Sequence, residues 1–383
     1  MKFTTLHSVD TVYSADSVEW CTVDEKHSVY FVCGTYQLVE STETNDPAQK
    51  QQPRKGRVYL YAFDHDNGAL DRLQTVETAA ILDMKWLPAW CVDSVPQLVT
   101  VSALGEIEIY ELLDEERRLQ KRNSLTLEHE GVLALALDWR RCPDNEHTLQ
   151  LLVSDSLGQI NLLEYTSQGD LSKLHTWQAH GFEAWTCAFD RWSPSRMYSG
   201  GDDGLLHAYD LRSEQEERVW TNRAHGAGVT CLLSHPQHEN QLLTGSYDEQ
   251  LRLFDTRNMK RTLAELNLNG GIWRLKPHPQ QKDLILAACM YTNFSVVGLE
   301  SAESGCALNL LGTYEEHSSI CYGADWAPIL NTRTDEGGQQ LLYMATCSFY
   351  DHKLCLSSVE TKEQKQFGSH KGGLKTEPIE LQH

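Results

Sequence analysis

Apolar and polar residues alternate along this chain in short runs, and Gly, Asp or Ser interrupts most of them. Leu98 to Tyr110 reads L-V-T-V-S-A-L-G-E-I-E-I-Y, and Leu151 to Tyr165 reads L-L-V-S-D-S-L-G-Q-I-N-L-L-E-Y. Period-two runs rich in Val, Ile, Leu and Tyr, closed by tight-turn residues, predict strands in hairpins rather than helices. The turns of these two hairpins, at Gly105 and Gly158, are 53 residues apart. From His180 to Arg257 the pattern repeats outright. A-H-G-F-E-A-W-T-C-A-F running into Y-S-G-G-D-D-G-L-L-H-A-Y-D-L-R returns as A-H-G-A-G-V-T-C-L-L running into L-T-G-S-Y-D-E-Q-L-R-L-F-D-T-R. His180 and His225, Asp203 and Asp248, Asp210 and Asp255, and Arg212 and Arg257 are each 45 residues apart. A period of this length builds one four-stranded propeller blade.

Seven such units are predicted. The first has strands near Val18 to Val23, Val29 to Gly34 and Arg57 to Phe63, with a polar loop insertion near 40–56. The second opens on A-A-I-L-D-M-K-W-L-P and the third at His129; the fourth and fifth are the two clear copies. The sixth opens on G-G-I-W-R-L-K-P-H-P, and the seventh at His317 with a polar insertion near 329–340. Lys2 to Val9 alternates but has no unit of its own, so it is predicted to complete the last blade. The fold class is therefore all-β, a single seven-bladed WD-repeat β-propeller over 1–361 closed by N-terminal strand exchange. A charged, Gly-rich tail over 362–383 is predicted to be disordered.

Each clear copy carries His, Ser or Thr, Asp and an aromatic at a spacing that allows one hydrogen-bonded chain: His180, Ser199, Asp203 and Tyr209, then His225, Thr244, Asp248 and Phe254. The residue types are those of a catalytic triad. Their recurrence in the next blade assigns them to the frame instead. In the seventh unit His317, Thr346 and Asp351 fit the same chain, with Ser357 where the aromatic belongs. Asp210 with Arg212 and Asp255 with Arg257 are expected to be strand-end ion pairs.

Charge narrows the partners. The 383 residues carry 54 acidic against 33 basic side chains, a formal charge of −21, and nucleic-acid affinity rests on Lys and Arg neutralising phosphates. Nucleic acid is not expected as a partner, and a basic or cationic partner is favoured. No run approaches a membrane helix and the first residues lack a signal peptide's apolar core. The eleven Cys include no C-x-x-C pair, which fits a reduced thiol set in the cytoplasm. No metal and no cofactor are predicted.

The repeat leaves certain residues unexplained, all on loops at one face or a residue inside it: Glu183, Trp185, Asp202, Gly271, Trp273, Arg274, Cys289, Met290, Tyr291, Tyr350 and His352. Taken singly, each is better explained by packing or ordinary exposure; Cys289 in particular suits a small buried hydrophobe.

The strings F-E-A-W (Phe182 to Trp185), Y-S-G-G-D-D-G-L-L (Tyr198 to Leu206), T-G-S-Y-D-E (Thr244 to Glu249), G-G-I-W-R-L-K (Gly270 to Lys276), L-A-A-C-M (Leu286 to Met290), Y-G-A-D-W (Tyr322 to Trp326) and A-T-C-S-F-Y-D-H (Ala345 to His352) resemble the diphthine methylesterase family. These are WD-repeat proteins of the diphthamide pathway. The resemblance is dense from Trp177 to Leu356 and repeat-level before that. It implies hydrolysis of the methyl ester of methylated diphthine on translation elongation factor 2, giving diphthine and methanol. Diphthine carries a trimethylammonium group, which suits Trp faces with a carboxylate nearby. Trp185 and Trp273 with Glu183 are expected to bind it, and Arg274, Cys289, Tyr291 and Tyr350 are further substrate-binding candidates. Asp202 and His352, each beside a structural Asp, are the candidates for the base. A scaffold that gathers other proteins is the competing reading, favoured by the lack of a G-x-S-x-G elbow or a metal motif.

Overall fold

The computed structural model describes residues 1–39, 54–90, 94–212, 217–302, 305–328 and 340–361. Of the two predicted insertions, 40–53 and 329–339 lie outside the described residues, as does the tail from 362. The rest forms seven four-stranded antiparallel sheets, with no helix among the described residues.

Alternation explains the outer strands. Ala69–Ala79 and Lys2–Asp10 expose every second side chain or nearly so, because one sheet face meets a neighbouring blade and the strand edge meets water. The inner strands behave differently. Ser14–Trp20 is buried along its whole length although it reads S-A-D-S-V-E-W. The first blade therefore begins four residues before the predicted Val18, in a polar stretch that hydropathy does not mark as strand.

Seven apolar clusters make the core, one in each gap between adjacent blades. The gap between the first and last blades holds Trp20, Phe31 and Tyr61 against Tyr343 and Leu354. The strand Lys2–Asp10 pairs antiparallel with Lys353–Thr361, Lys2 opposite Glu360 and Asp10 opposite Lys353, and so forms the outer strand of the seventh sheet. Ser357 donates to the Tyr314 hydroxyl at 2.8 Å, and that hydroxyl also meets Thr5 Oγ1 at 2.9 Å. An aromatic from the sixth blade thus fills the place Ser357 leaves empty.

The repeated polar chain is structural and differs between copies. His180 bridges Asp203 at 3.0 Å and Ser199 at 2.8 Å. His225 keeps the bond to Thr244 at 2.9 Å, but Asp248 turns to Arg252 and the Gly226 N–H, leaving His225 Nδ1 without a partner among the described residues. Phe254 has no donor to complete the chain. His317 meets Thr346 and Ser348, and Ser348 relays to Asp351. Arg212 and Arg257 pair with Asp210 and Asp255 as expected.

Candidate active site at the channel mouth

On the inner strands of six blades the pairing skips one residue near the upper end. The register passes from Ala15 to Ser17, Ile81 to Asp83, Ala134 to Ala136, Val229 to Cys231, Ile272 to Arg274 and Cys321 to Gly323. The skipped residues are Asp16, Leu82, Leu135, Thr230, Trp273 and Tyr322. In the fourth blade the equivalent residue is Trp185, just before Thr186. A bulge re-aims a side chain out of the pleat. The contacts show where: Trp185 of blade four meets Trp273 of blade six at 5.6 Å between ring centroids, although these blades are not neighbours. Their meeting place is the mouth of the central channel.

Five further rings extend this pair. Tyr247, on the intervening blade, lies 6.1 Å from each Trp. Tyr322 packs on Trp273 at 5.0 Å, Phe349 on Tyr322 at 5.4 Å, and Tyr36 and Tyr350 on Phe349. Carboxylates edge the cluster. Asp202 accepts the indole N–H of Trp185 at 2.9 Å, and its own N–H donates to the Glu183 carbonyl. Burial raises the Tyr247 hydroxyl above its ordinary pKa, and the charges of Asp202 and Glu183 add to that shift. Gly228 makes room here: a Cβ on it would stand 2.9 Å from Asp202 Oδ1 and 3.0 Å from Tyr247.

Beneath the rings the channel is crossed by charge. Arg274 reaches from the sixth blade to the second, where it meets Asp83 at 3.2 Å and donates to the Leu82 carbonyl at 2.7 Å. Burial pushes the Asp83 carboxyl up, but Arg274, Lys85 and the Leu137 N–H outweigh it and hold the group below its ordinary value. Lower still, Glu19 pairs with Lys276 and lies 3.9 Å from Lys85. A cavity of about 590 Å³, lined among others by these five residues and Asp138, opens below this level.

The structure gathers some of the predicted site residues and separates others. Trp185, Trp273, Glu183 and Asp202 come together. Tyr350 joins the rings by its edge, with 70% of its surface exposed. Tyr291, also exposed, lies within electrostatic reach of Tyr247 and Tyr322. Arg274 turns its Nη2 to Asp83 and the Leu82 carbonyl, beneath the mouth. Cys289 is wholly buried among Leu243, Ile272 and Ile285, and burial pushes its thiol up to about 11, which removes it as a surface contact or nucleophile. Met290, buried, has its sulfur facing Gly271. His352 occupies a left-handed turn position (φ 53°), and its carbonyl accepts the N–H and hydroxyl of Thr11. No contact among the described residues joins its ring to Asp202 or to the aromatic cluster.

Two groups have metal-like donor sets, His180 with Asp203 and His207, and His235 with His238 and Asp283. Both nitrogens of His180 are engaged by Asp203 and Ser199. His235 Nδ1 accepts the N–H groups of Gln237 and His238, so its Nε2 carries the proton and faces the Lys282 carbonyl. In each set one histidine is thus already held by protein partners.

Sequence reasoning missed Asp16, Tyr36, Tyr247, Tyr322 and Phe349. Aligning the inner strands on their bulges would have placed Asp16 and Tyr322 beside Trp185 and Trp273, and the polar run Y-S-A-D-S before Val18 was the available signal.

A profile of the family "WD domain, G-beta repeat" matches residues 216–255. A chain of the solved structure entitled "Crystal Structure of Mitotic Checkpoint Complex" superposes with a TM-score of 0.64 at 17% identity, covering 93% of this chain and 92% of that one, which shows the propeller fold. The human protein named diphthine methyltransferase is 40% identical over 85% of this chain and 75% of its own length. The Dictyostelium discoideum homolog is 32% identical, and the Schizosaccharomyces pombe protein 30%, each over 90% of this chain and 96% of its own length. At that identity over that span, the chain belongs to the WD-repeat family whose members bear the name diphthine methyltransferase.

Proposed function

We propose that this protein acts in diphthamide biosynthesis by hydrolysing the methyl ester of methylated diphthine on translation elongation factor 2, releasing methanol. The observation that carries this reading is the cluster of Trp185, Tyr247, Trp273 and Tyr322 at the channel mouth with Asp202 and Glu183 at its edge. A trimethylammonium group has no proton to donate, so it is recognised by ring faces and negative charge, each ring contributing about 0.5–2 kcal/mol. The ester to be cleaved sits on the carbon that bears this cation. Seating the cation therefore seats the ester, and hydrolysis then asks only for a held water, a base and donors to the oxyanion.

The relatives' name favours a second reading, transfer of a methyl group to diphthine. That reaction needs a methyl donor held in line with the acceptor oxygen. One assay separates the two. The full-length protein is incubated with elongation factor 2 carrying methylated diphthine, without any methyl donor, and the modified peptide is weighed. Hydrolysis predicts loss of one methylene unit with one methanol formed per site. An unchanged mass, together with a gain of one methylene unit on diphthine once a methyl donor is supplied, would replace hydrolysis by transfer.

A further inference from the structure

Four aspartates stand on the inner strands around the channel, Asp16, Asp83 and Asp325 buried and Asp138 half-buried, and three of the four have the same duty. Asp83 Oδ2 accepts the Leu137 N–H at 2.9 Å, Asp138 Oδ2 the Phe189 N–H at 2.8 Å, and Asp325 Oδ2 the Trp20 N–H at 2.8 Å. Each stitches its inner strand to that of the next blade. Asp16 stands apart. It is 3% exposed, and its Oδ1 has no hydrogen-bond partner among the described residues. Buried carboxylate oxygens are nearly always satisfied, and an exception asks for a missing water or ligand.

Its place supplies the ligand. Asp16 is the first blade's counterpart of Trp185 and Trp273, the bulged residue that the fold turns to the channel mouth. The strands of blades one and seven approach closely here: a Cβ on Gly323 would come within 2.9 Å of Ser17 Cα. Asp16 is thereby set beside Tyr322, whose hydroxyl its charge helps to raise. The Nε1 of Trp273, a donor on the same ring of positions, is likewise buried without a partner among the described residues.

We propose that Asp16 is the general base of this site, taking a proton from the water that attacks the ester and returning it to the departing methoxide. This rests on the hydrolase reading above. The atoms balance: water oxygen bonds to the carbonyl carbon as its proton passes to Asp16, and the tetrahedral adduct then expels methoxide, which leaves as methanol with that proton. The acid so formed loses its own proton to solvent.

The surroundings tune the group for the task. Burial raises the Asp16 carboxyl to about 8; Arg274 from blade six opposes the shift and Asp83 from blade two adds to it. Tyr36, Tyr322 and Cys347 also lie within electrostatic reach, all neutral at pH 7, and burial raises each further above its ordinary value. A cation seated on the rings above favours the ionised form, so substrate binding itself charges the base. A base with a pKa near the working pH is the effective kind.

The test uses the full-length protein and Asp16→Asn, which keeps the shape and removes the titration. Methanol release is measured from pH 5.5 to 9 on elongation factor 2 carrying methylated diphthine, with thermal melting alongside. We expect turnover to fall on the order of 10²-fold or more, KM to change within about threefold, and the rise of kcat/KM with pH on the acid side of the optimum to vanish. Melting should be unchanged or raised, since a buried acid has been neutralised. An active wild type with an equally active Asp16→Asn and the same pH profile overturns the base and leaves the hydrolase reading standing. Loss of turnover together with early melting assigns Asp16 to the frame and overturns the proposal. A wild type that releases no methanol overturns the hydrolase reading itself.

Discussion

Trp185 gives its N–H to Asp202, so one carboxylate both fixes an indole and charges its edge. The two duties separate by mutation. Trp185→Ala removes a ring and should raise KM about 2- to 30-fold with kcat little changed, the size of one cation–π contact. Asp202→Asn keeps an acceptor for the indole and loses only charge, so its rise in KM should be smaller and should shrink as salt is added. Equal defects in both variants at all salt concentrations would mean that Asp202 acts solely by holding the ring. Protonation gives a second readout at this scale. Burial lowers His207, His225, His278 and His317 to about 4, so the unfolded chain takes up protons there that the folded one refuses. Stability from these groups is lost as pH falls from about 6.5 towards 4. Asp16, raised to about 8, works the other way: between roughly 4 and 8 the unfolded carboxyl ionises while the folded one does not, so stability falls as pH rises. Asp325, raised to about 7, has the same sign. A melting-temperature maximum between pH 5.5 and 7 is expected, with a shallower alkaline decline in Asp16→Asn.

Strands explain how much of this was legible beforehand. The two 45-residue copies, and the strands that alternate, were readable because one side of each meets a blade and the other a neighbour or water. The inner strands were harder. Their alternation is broken by a bulge, and their polar side chains are buried around a channel, so Ser14–Trp20 resembles a loop by composition. The same break hid half of the aromatic and acidic residues at the bulged positions. Trp185 and Trp273 drew notice as large residues in conspicuous strings, whereas Asp16 and Tyr322 hold equivalent positions without any such mark. His352 is marked in the sequence only by standing beside the structural Asp351, and the fold holds it in a left-handed turn, where His is among the side chains better tolerated. One strand carries a prediction of its own. Removing Lys2–Asp10 strips the outer edge from the seventh sheet and takes Thr5 from Tyr314. A truncated protein should melt several degrees lower and aggregate through the bare edge of Lys353–Thr361; unchanged melting would show that this strand contributes nothing to holding the ring.

At the scale of the molecule, seven similar gaps carry the core, so no blade is dispensable and none dominates. The ion pair between Arg274 and Asp83 departs from this neighbour-to-neighbour order, as do Lys276 with Glu19 and Trp185 with Trp273, and it spans the axis from blade six to blade two. A closed ring held only at adjacent joints can breathe one joint at a time. A chord across it couples distant joints: for blade two to swing outward, either the pair breaks and strands two buried charges, or blade six moves as well. In native-state hydrogen exchange the amides of Ile81–Trp86 and Ile272–Pro277 should therefore open with a common free energy, although 185 residues separate the end of one strand from the start of the other.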